Sequence, residues 1–333
     1  MKRFAHPFAL ASALIPVLSL GGARAALAED SPPVSDEQAA ALAATKAPTE
    51  AQEAFFAYLL EAQRRYTESG GIPVEQLLTE EGETAAQLYC RAIGIDGPCA
   101  PVDDGERTRY VAVSATERRR WWQWIGEHTI NIGVIPELNF CPSPFSMVEI
   151  YMDDEDNNNI NGRSGWIGAT VSTANTRWRF CKLNVPWTIQ FFPISPMVAP
   201  PPANFYAVQS FGIVCPIGSR WVLRYQDNED SNNANSFSGG IFPNFVSNAG
   251  SWMITCHYDS GAPSLWPTMA TFPTLPMHYG MYGSPIMPPS LAILRGRVYQ
   301  DDEDIVNLNF WVGSPAGTMQ GGGNTERFLI KAY

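Results

Sequence analysis

The sequence predicts a mainly β protein with an α-helical N-terminal region and three repeated antiparallel β modules packed together in a sandwich-like arrangement. Three observations lead to this prediction. An acidic motif occurs three times at a constant spacing, the composition changes near residue 130, and the cysteines follow the repeat. Modules of this kind are expected to bury their apolar faces against one another.

The acidic motif, Y-x-D-[DN]-E-D-x-x-N-x-N, begins at Tyr151, Tyr225 and Tyr299, so that successive copies start 74 residues apart. A constant offset of this kind indicates one structural unit used several times. Units of roughly 60 to 75 residues have small cores and are expected to pack on one another. The predicted modules cover 136–198, 199–272 and 273–333.

The region after Ile130 is predicted to consist of short antiparallel strands. Segments such as Arg177–Cys181 and Trp221–Tyr225 mix apolar and polar residues and are separated by Gly, Pro and Asn. Alternation with a period of two is typical of strands that bury one face. The prolines at Pro200–Pro202 favour extended connections outside the central strands.

The first 25 residues, 1–25, are predicted to be a secretory signal peptide. Lys2 and Arg3 precede the apolar stretch Phe8–Leu20, and small residues follow before Glu29. A basic start, an apolar stretch and small residues, in this order, are typical of a secretory signal peptide. We therefore expect a secreted protein, extracellular or periplasmic. The remaining sequence has no run of eighteen apolar residues, so no transmembrane segment is expected.

Residues 26–130 are predicted to be helical because Ala, Glu, Gln and Leu dominate them. Capping-box spacing at Thr49–Gln52 begins one helix, which ends at Ser69 and the two glycines after it. A second helix is predicted over Glu83–Ile93 and a third over Thr116–Trp124. The third places three arginines beside three tryptophans, which is typical of a helix docked by its tryptophans. A contact with nucleic acid or an anionic glycan is the alternative.

The cysteine positions follow the repeat and predict three disulfides. A Cys-Pro pair lies twelve residues before the first aspartate in copies one and two, and a second cysteine follows each motif. Copy three has Pro289 and Ile330 in these two places, so both cysteines are lost together. Positions that keep and lose cysteine together are most simply bonded partners, and the remaining two pair by exclusion. The predicted bonds are Cys141–Cys181, Cys215–Cys256 and Cys90–Cys99.

The charge balance argues against nucleic acid or an anionic membrane surface as a partner. The chain has 22 Lys and Arg residues against 33 Asp and Glu. Loss of Lys2, Arg3 and Arg24 with the leader leaves 19 basic residues and a net charge of −14. Because an acidic protein repels polyanions, a cation or a neutral glycan is the more compatible partner.

The acidic motif supports three hypotheses. One is a calcium site, because hard cations bind clusters of Asp, Glu and Asn oxygens, although the spacing is not that of an EF-hand. The second is that these side chains cap turns by bonding to backbone amides. The third is a direct sugar or peptide contact. The candidate Ca²⁺ ligands are Asp153, Asp154, Glu155, Asp156, Asp227, Glu229, Asp230, Asp301, Asp302, Glu303 and Asp304.

Aromatic and amide side chains next to the motif predict a binding surface. Trp166 and Trp311 are assigned to related places in copies one and three. Aromatic rings stack on the C–H faces of sugars, while Asn bonds to their hydroxyls. The alternative is that these rings belong to the core. The candidate ligand-binding residues are Trp166, Trp311, Asn161, Asn235 and Asn309.

The sequence contains no catalytic motif of the hydrolase, P-loop or dinucleotide-binding types. The three histidines after the leader, His128, His257 and His278, occupy unrelated positions of the repeat, and every cysteine is assigned to a bond. We therefore expect a secreted, non-catalytic binding or adhesion protein for a glycan or cell-envelope polymer. The alternative is a structural or assembly protein whose modules contact other protein subunits.

The order Cys-Pro, Tyr-Gln-Asp-x-Glu-Asp and Phe-Cys-Lys resembles the C-terminal domain of apextrins, secreted proteins implicated in recognising bacterial cell-wall material. Here it stands at Cys215–Pro216, Tyr225–Asp230 and, from copy one, Phe180–Lys182. This sequence has Asp or Asn where that family tends to have Thr, and it repeats the motif three times with fewer cysteines. The resemblance implies a binding role towards cell-wall material.

Overall fold

The computed structural model describes ten stretches of the chain. They are 48–69, 85–97, 99–103, 107–114, 130–155, 159–228, 233–248, 250–259, 267–302 and 307–332. The predicted signal peptide, 1–25, and the predicted third helix, Thr116–Trp124, lie outside the described residues.

Helix α1 spans Glu50–Glu68 and begins as predicted. The Gln52 amide donates to Thr49 Oγ1 at 3.2 Å, and the Thr49 amide donates to Gln52 Oε1 at 3.0 Å. These reciprocal bonds satisfy two amides that a helix N-terminus leaves open. A second helix, α2, covers 85–92 within the predicted range, and Gly94 follows it with a φ of 82°. A left-handed glycine is a common helix end, and the helical N-terminal region is confirmed.

A β-hairpin of β1 (Cys99–Asp103) and β2 (Thr108–Ala112) lies within the region predicted to be helical. The helical prediction for 26–130 is therefore wrong over these residues. Thr, Tyr and Val in β2 favour an extended backbone. Tyr110 also packs edge-on against Tyr89, with 4.9 Å between the ring centroids. Packing against α2 thus favours the strand.

In the part of the chain that the structure describes, fifteen further strands form one sheet, and they follow one another as three groups of five, here called modules 1, 2 and 3. Module 1 contains β3 (Ile132–Pro136), β4 (Ser146–Met152), β5 (Gly162–Gly165), β6 (Val171–Ser172) and β7 (Thr176–Leu183). Module 2 contains β8 (Tyr206–Ser210), β9 (Arg220–Gln226), β10 (Ser236–Ser238), β11 (Phe245–Ser247) and β12 (Gly250–Tyr258). Module 3 contains β13 (Tyr279–Gly283), β14 (Ala292–Gln300), β15 (Phe310–Val312), β16 (Met319–Gln320) and β17 (Thr325–Ala332).

These modules begin at Ile132, Tyr206 and Tyr279, whereas the sequence prediction placed the boundaries at 136, 199 and 273. A short 3-10 helix, Thr188–Gln190, lies in the connection after β7. Among the described residues, all the strand pairings are antiparallel, apart from one isolated parallel bridge between Ile194 and Met269. The mainly β, antiparallel fold class is confirmed.

Strand pairing between the modules follows one rule. Within each module the fifth strand lies between the first and the second. The third strand pairs instead with the second strand of the preceding module: β10 with β4, β15 with β9, and β5 with β14. The first strands, β3, β8 and β13, also pair with one another. Because module 3 in this way precedes module 1, the sheet curls into a closed ring around a pseudo-threefold axis.

The three disulfides join the predicted partners: Cys90 to Cys99, Cys141 to Cys181, and Cys215 to Cys256. In modules 1 and 2 the bond ties the segment before the second strand to the fifth strand. Module 3 has Ile330 in the fifth-strand place, and this side chain is fully buried. Module 3 is therefore stabilised by a buried apolar side chain in the place where the other two modules have a disulfide bond.

The helical region packs on module 2 because that module has an apolar outer face. Phe56 stacks on Trp252 with 4.9 Å between the centroids, and Phe55 meets Phe245 edge-on at 5.5 Å. Such contacts combine apolar burial with favourable ring geometry. At the places equivalent to Trp252, module 1 has Arg177 and module 3 has Glu326. The helices therefore cover one of three related faces.

Gln63 fastens α1 to the disulfide of module 2. Its Oε1 accepts a bond from the Cys215 amide at 2.6 Å, and its Nε2 donates to the Cys215 carbonyl at 3.4 Å. Gln63→Ala is expected to lower the free energy of unfolding by about 1–3 kcal/mol, because it leaves buried backbone groups without partners. The control is Leu60→Ala, at a 44 % exposed position of the same helix. It should change stability by less than about 0.5 kcal/mol, and equal effects in denaturant titrations would contradict this role of Gln63.

Candidate functional site

The three acidic motifs form loops that follow the second strand of each module. These acidic loops are residues 153–161, 227–235 and 301–309. Residues 156–158, 229–232 and 303–306, which are the middle residues of these segments in the sequence and are called tips below for that reason alone, lie outside the described residues. Five of the candidate Ca²⁺ ligands are therefore not described: Asp156, Glu229, Asp230, Glu303 and Asp304.

The first aspartate of each acidic loop joins its module to the next one. The Asp153 amide donates to Asn235 Oδ1 at 2.7 Å, and the Ala234 amide donates back to Asp153 Oδ2 at 2.7 Å. The same two bonds link Asp227 to Asn309 and Leu308, and Asp301 to Asn161 and Ile160. We call these three contacts the latches. They close the ring in the same direction as the strand pairing, from module 1 to 2 to 3 and back to 1.

The second acidic position closes each loop on its own module. Asp154 Oδ2 accepts bonds from Thr176 Oγ1 at 2.6 Å and from Asn161 Nδ2 at 2.8 Å. In module 3, Asp302 Oδ2 accepts from Thr325 and Asn309 in the same way, at 2.8 and 2.9 Å. Module 2 has an amide, Asn228, in this place, and its Oδ1 accepts from Asn235 at 3.2 Å. These aspartate side chains thus accept hydrogen bonds from amide and hydroxyl groups, as the turn-capping hypothesis predicts. In addition, the bonds of the latches join one module to the next.

The three candidate ligand-binding asparagines are part of this internal network. The Oδ1 atom of Asn161, Asn235 and Asn309 accepts the latch bond from the neighbouring module. The Nδ2 atom of each donates both to the second acidic position and to a backbone carbonyl, that of Ala174, Ser247 or Gly323. Their side-chain amide groups therefore form hydrogen bonds within the protein.

A buried polar cluster lies where the three loops meet. This axial cluster consists of Asp154, Gln300 and Arg327 together with Gln226, Asp302 and Arg224, all of which are almost fully buried. Arg327 donates to the Oε1 atoms of both Gln300 and Gln226 and lies over the Trp178 ring, 5.1 Å from its centroid. Arg224 donates to Thr325 Oγ1 at 2.8 Å and lies 3.9 Å from Asp302 Oδ2. Most of the hydrogen bonds that the two arginines donate therefore go to neutral acceptors.

Burial shifts the pKa values of the charged groups in the axial cluster. It raises the pKa of Asp154 to about 8, and the nearby Asp302 charge acts in the same direction. It raises the pKa of Asp302 to about 6, while the Arg224 charge opposes the shift. Burial also lowers the pKa of Arg224 to about 10. A buried carboxyl group favours its neutral form unless a cation or several donors compensate.

Among the described residues there is no group of three or more His, Cys, Asp or Glu side chains placed to hold a metal ion. The described candidate Ca²⁺ ligands are Asp153, Asp154, Glu155, Asp227, Asp301 and Asp302. Glu155 is buried, and its amide donates to the Asp301 carbonyl at 3.0 Å. The two aspartates of the axial cluster, Asp154 and Asp302, each accept hydrogen bonds within the protein. Each of the three latch aspartates also accepts at least one. The calcium hypothesis therefore depends on the tips of the loops.

The two tryptophans do not occupy equivalent places, and the expectation that they do is wrong. Trp311 lies in β15 opposite Arg224, which makes it equivalent to Phe237 and Arg163. Trp166 follows β5 and covers Gly280, where an added Cβ would lie 2.3 Å from the indole ring. Both rings are partly buried and pack against a cluster of buried apolar residues that includes Trp178 and Leu329. Trp311 Nε1 also donates to the Gly321 carbonyl at 2.8 Å, so both rings have structural roles.

The outer face of module 1 presents charged side chains around a tyrosine. Glu149 accepts from Arg177 at 2.6 Å and from Arg179 at 2.8 Å. The Arg177 guanidinium lies 5.1 Å from the centroid of the Tyr151 ring. The Tyr151 hydroxyl accepts a bond from Asn175 Nδ2 at 2.6 Å. We use the name outer face of module 1 for Glu149, Tyr151, Arg177 and Arg179, which are all partly exposed.

The equivalent surface of module 3, the outer face of module 3, has the charges of one ion pair exchanged and Phe328 in the place of Arg179. Arg297 stands in the place of Glu149, and Glu326 in the place of Arg177, with 3.0 Å between them. Gln320 donates to Glu326 at 2.5 Å, and the Tyr299 hydroxyl accepts from Asn324 at 2.8 Å. The strand alternation Arg177-Trp178-Arg179 was the sequence signal for these surfaces. Only the strands were predicted from this alternation, and the two charged surfaces were not.

Comparison with protein-family models, curated proteins and solved structures gave no match to this chain. Within the described stretches, no helix combines the length and apolar character needed to cross a membrane. Three disulfides indicate an oxidising, non-cytoplasmic environment.

Proposed function

We propose that this protein is a secreted, non-catalytic binding or adhesion protein that holds a glycan or cell-envelope polymer on the outer faces of modules 1 and 3. The observation that carries the proposal is the difference among three equivalent faces. Module 2 has Trp252 there and is covered by the protein's own helices. In that place modules 1 and 3 have the charged residues Arg177 and Glu326, each opposite a tyrosine that is partly exposed, whereas the equivalent Tyr225 of module 2 is buried.

The chemistry of the two outer faces suits a polar polymer. A phenol ring offers an apolar surface to sugar C–H groups, and the surrounding guanidinium and carboxylate groups form charge-assisted bonds to hydroxyl, amide or carboxylate groups. Each face carries both signs of charge, Glu149 with Arg177 and Arg297 with Glu326. Two weak sites on one body bind a repeating polymer more tightly than its monomer.

A non-catalytic role is supported by the use of the acidic side chains. Paired carboxylates for acid–base chemistry face a substrate across an open site. Asp154 and Asp302 instead lie fully buried, bonded to Thr and Asn side chains. The resemblance of Cys215–Pro216 and Tyr225–Asp230 to the apextrin C-terminal domain suggests cell-wall material as the polymer.

Retention on insoluble peptidoglycan and on glycan-coated beads tests the proposal. Arg177→Ala is expected to weaken retention about tenfold, because it removes a charged donor worth about 1.5 kcal/mol. Glu326→Ala should do the same on module 3, and the double variant should lose the gain from two sites. Arg64→Ala, an exposed arginine on α1 paired with Glu61 and Glu68, is the charge-matched control and should bind as the wild type does.

Three results would redirect the proposal. Unchanged retention of the double variant on every polymer would remove the outer faces as binding sites. Loss of wild-type retention in chelator would implicate Ca²⁺ at the tips of the acidic loops. Oligomers that form with rising protein concentration, without any sugar, would favour the alternative of an assembly protein whose modules contact other subunits.

A further inference from the structure

We propose that each of the two outer faces holds one sugar ring of the polymer in a gap beside its tyrosine, and that Ser236 and Gly162 are the residues that keep these gaps open. The assignment rests on the function proposed above and narrows it from a polymer in general to a saccharide ring with an apolar side. Module 2, which has the same place filled, provides the comparison.

Three tyrosines occupy equivalent places on the second strands, and each lies between two cross-strand neighbours on the same side of the sheet. They are Tyr151, Tyr225 and Tyr299. The neighbour on the fifth strand is, in module order, Arg177, Trp252 and Glu326. The neighbour on the third strand of the following module is, in the same order, Ser236, Phe310 and Gly162. Because directly opposed side chains pack side by side, the third-strand neighbour decides whether one side of the tyrosine ring is covered.

Module 2 fills this place with an aromatic ring of its own. The Phe310 ring lies beside Tyr225 and Trp252, with 5.3 Å between the centroids in both cases. Tyr225 is only 2 % exposed as a result of this packing and of the cover by α1. The sheet therefore accommodates a six-membered ring beside the tyrosine, and in module 2 the protein supplies that ring itself.

Modules 1 and 3 have small residues in the same place, Ser236 and Gly162, and both are partly exposed. An added Cβ at Gly162 would lie 3.7 Å from the Ile160 carbonyl oxygen and 3.8 Å from the Tyr299 Cβ, which are ordinary contact distances. Gly162 is also not one of the glycines with a positive φ. Neither crowding nor backbone conformation therefore requires glycine here, and the small residue leaves one side of the tyrosine ring open.

The two half-open rings are also held in position. Asn175 Nδ2 donates to the Tyr151 hydroxyl at 2.6 Å, and Asn324 Nδ2 donates to the Tyr299 hydroxyl at 2.8 Å. Module 2 has Gly250 in the place of these asparagines, and an added Cβ there would lie 2.8 Å from the tyrosine ring. A ring that is fixed before binding loses less freedom when a ligand packs on it. Modules 1 and 3 thus share a fixed, half-open ring that module 2 lacks.

A sugar ring matches the open place in size and in chemistry. A pyranose has a six-membered ring like that of phenylalanine, its C–H side packs on an aromatic ring, and its hydroxyl groups need donors at the edge. Arg177 donates from Nη1 to Glu149, and its Nε and Nη2 atoms have no acceptor among the described residues. Arg297 donates from Nη1 to Glu326 and from Nε to Ser164, which leaves Nη2. These nitrogens can donate to a hydroxyl or acetamide oxygen of the sugar, whereas a peptide of small and charged residues offers no ring for the gap.

Filling the two gaps tests the assignment, with retention of the full chain on beads that carry N-acetylglucosamine oligomers as the measurement. Ser236→Phe and Gly162→Phe copy Phe310 of module 2, so each should weaken retention about tenfold and the double variant should lose the gain from two sites. Their melting temperatures should stay within about 2 °C of the wild type. The control is Ser290→Phe, at an exposed serine before β14 and outside both outer faces, which should be retained as the wild type is.

Hydroxyl-radical footprinting of the wild type gives a second measurement that does not depend on the folding of a variant. The N-acetylglucosamine oligomers should lower the oxidation of Tyr151 and Tyr299, which the ligand covers. They should leave Tyr58 of α1, which is also partly exposed, unchanged.

The outcomes separate this proposal from the function on which it rests. Full retention of the filled-gap variants, or unprotected tyrosines in a wild type that the beads retain, would overturn the sugar-ring assignment alone. Retention of the wild type on beads with an acidic tetrapeptide, but not on the oligomer beads, would do the same. A wild type that is retained on neither kind of bead nor on peptidoglycan would overturn both proposals.

Discussion

Asn235→Ala is expected to lower the free energy of unfolding by about 2–4 kcal/mol, since it removes three side-chain hydrogen bonds, one of which is a latch bond, and leaves their partners without a bond. The lost bonds are those with the Asp153 amide at 2.7 Å, Asn228 Oδ1 at 3.2 Å and the Ser247 carbonyl at 3.0 Å. Urea unfolding followed by tryptophan fluorescence measures the loss.

Asn184→Ala is the matched control for the latch, because Asn184 is an exposed asparagine outside the acidic loops. It should change stability by less than about 0.5 kcal/mol. The closed ring further predicts one cooperative transition in all these variants, because no module can leave without breaking two seams. A loss below about 1 kcal/mol for Asn235→Ala, or separate unfolding of one module, would contradict the latch.

Removal of the Cys215–Cys256 disulfide by a double alanine substitution is expected to cost about 4 kcal/mol. The bond closes a loop of 41 residues, and a long loop gains more freedom in the unfolded chain than a short one. Both cysteines are also fully buried beneath α1. Guanidinium chloride unfolding of the oxidised proteins gives the difference.

The Cys90–Cys99 bond is the matched comparison, because it spans only 9 residues. Its removal should cost about 2.5 kcal/mol by the same loop argument. A larger loss for Cys90–Cys99 than for Cys215–Cys256 would show that local packing, and not loop closure, sets the contribution of these bonds.

Sequence reasoning succeeded where a signal was local or was repeated within the chain. The capping box at Thr49 and Gln52 lies within four residues and specifies the start of α1. The disulfide partners followed from comparison of three copies, since copy three lost both cysteines together. Where neither kind of signal existed, prediction was wrong. The β1–β2 hairpin has strand-forming residues in a region of helical composition, and packing against Tyr89 selects its conformation.

The candidate site was harder to predict, because the role of each acidic-loop residue depends on hydrogen-bond partners that are distant in sequence. The acidic loops were recognised as the organising feature, with metal binding, turn capping and sugar contact left open. The latch from Asp153 to Asn235 joins residues 82 positions apart, and the one from Asp301 to Asn161 joins residues 140 apart. A residue type and its sequence neighbours do not indicate a bonding partner at such a separation. The bonds of Asn161, Asn235 and Asn309 inside the protein were therefore not predicted.

By itself, the sequence determined that one β unit is used three times, which cysteines pair, and where helix α1 begins, because internal repetition and local capping depend on neighbouring or equivalent residues. Only the tertiary structure decided that the third module closes on the first, that the acidic loops join the modules, and that one outer face of three is covered. The physical reason is that closure of the ring brings together side chains from all three copies. Whether Asp154 meets a cation, an amide or water, and hence what it does, depends on that closure.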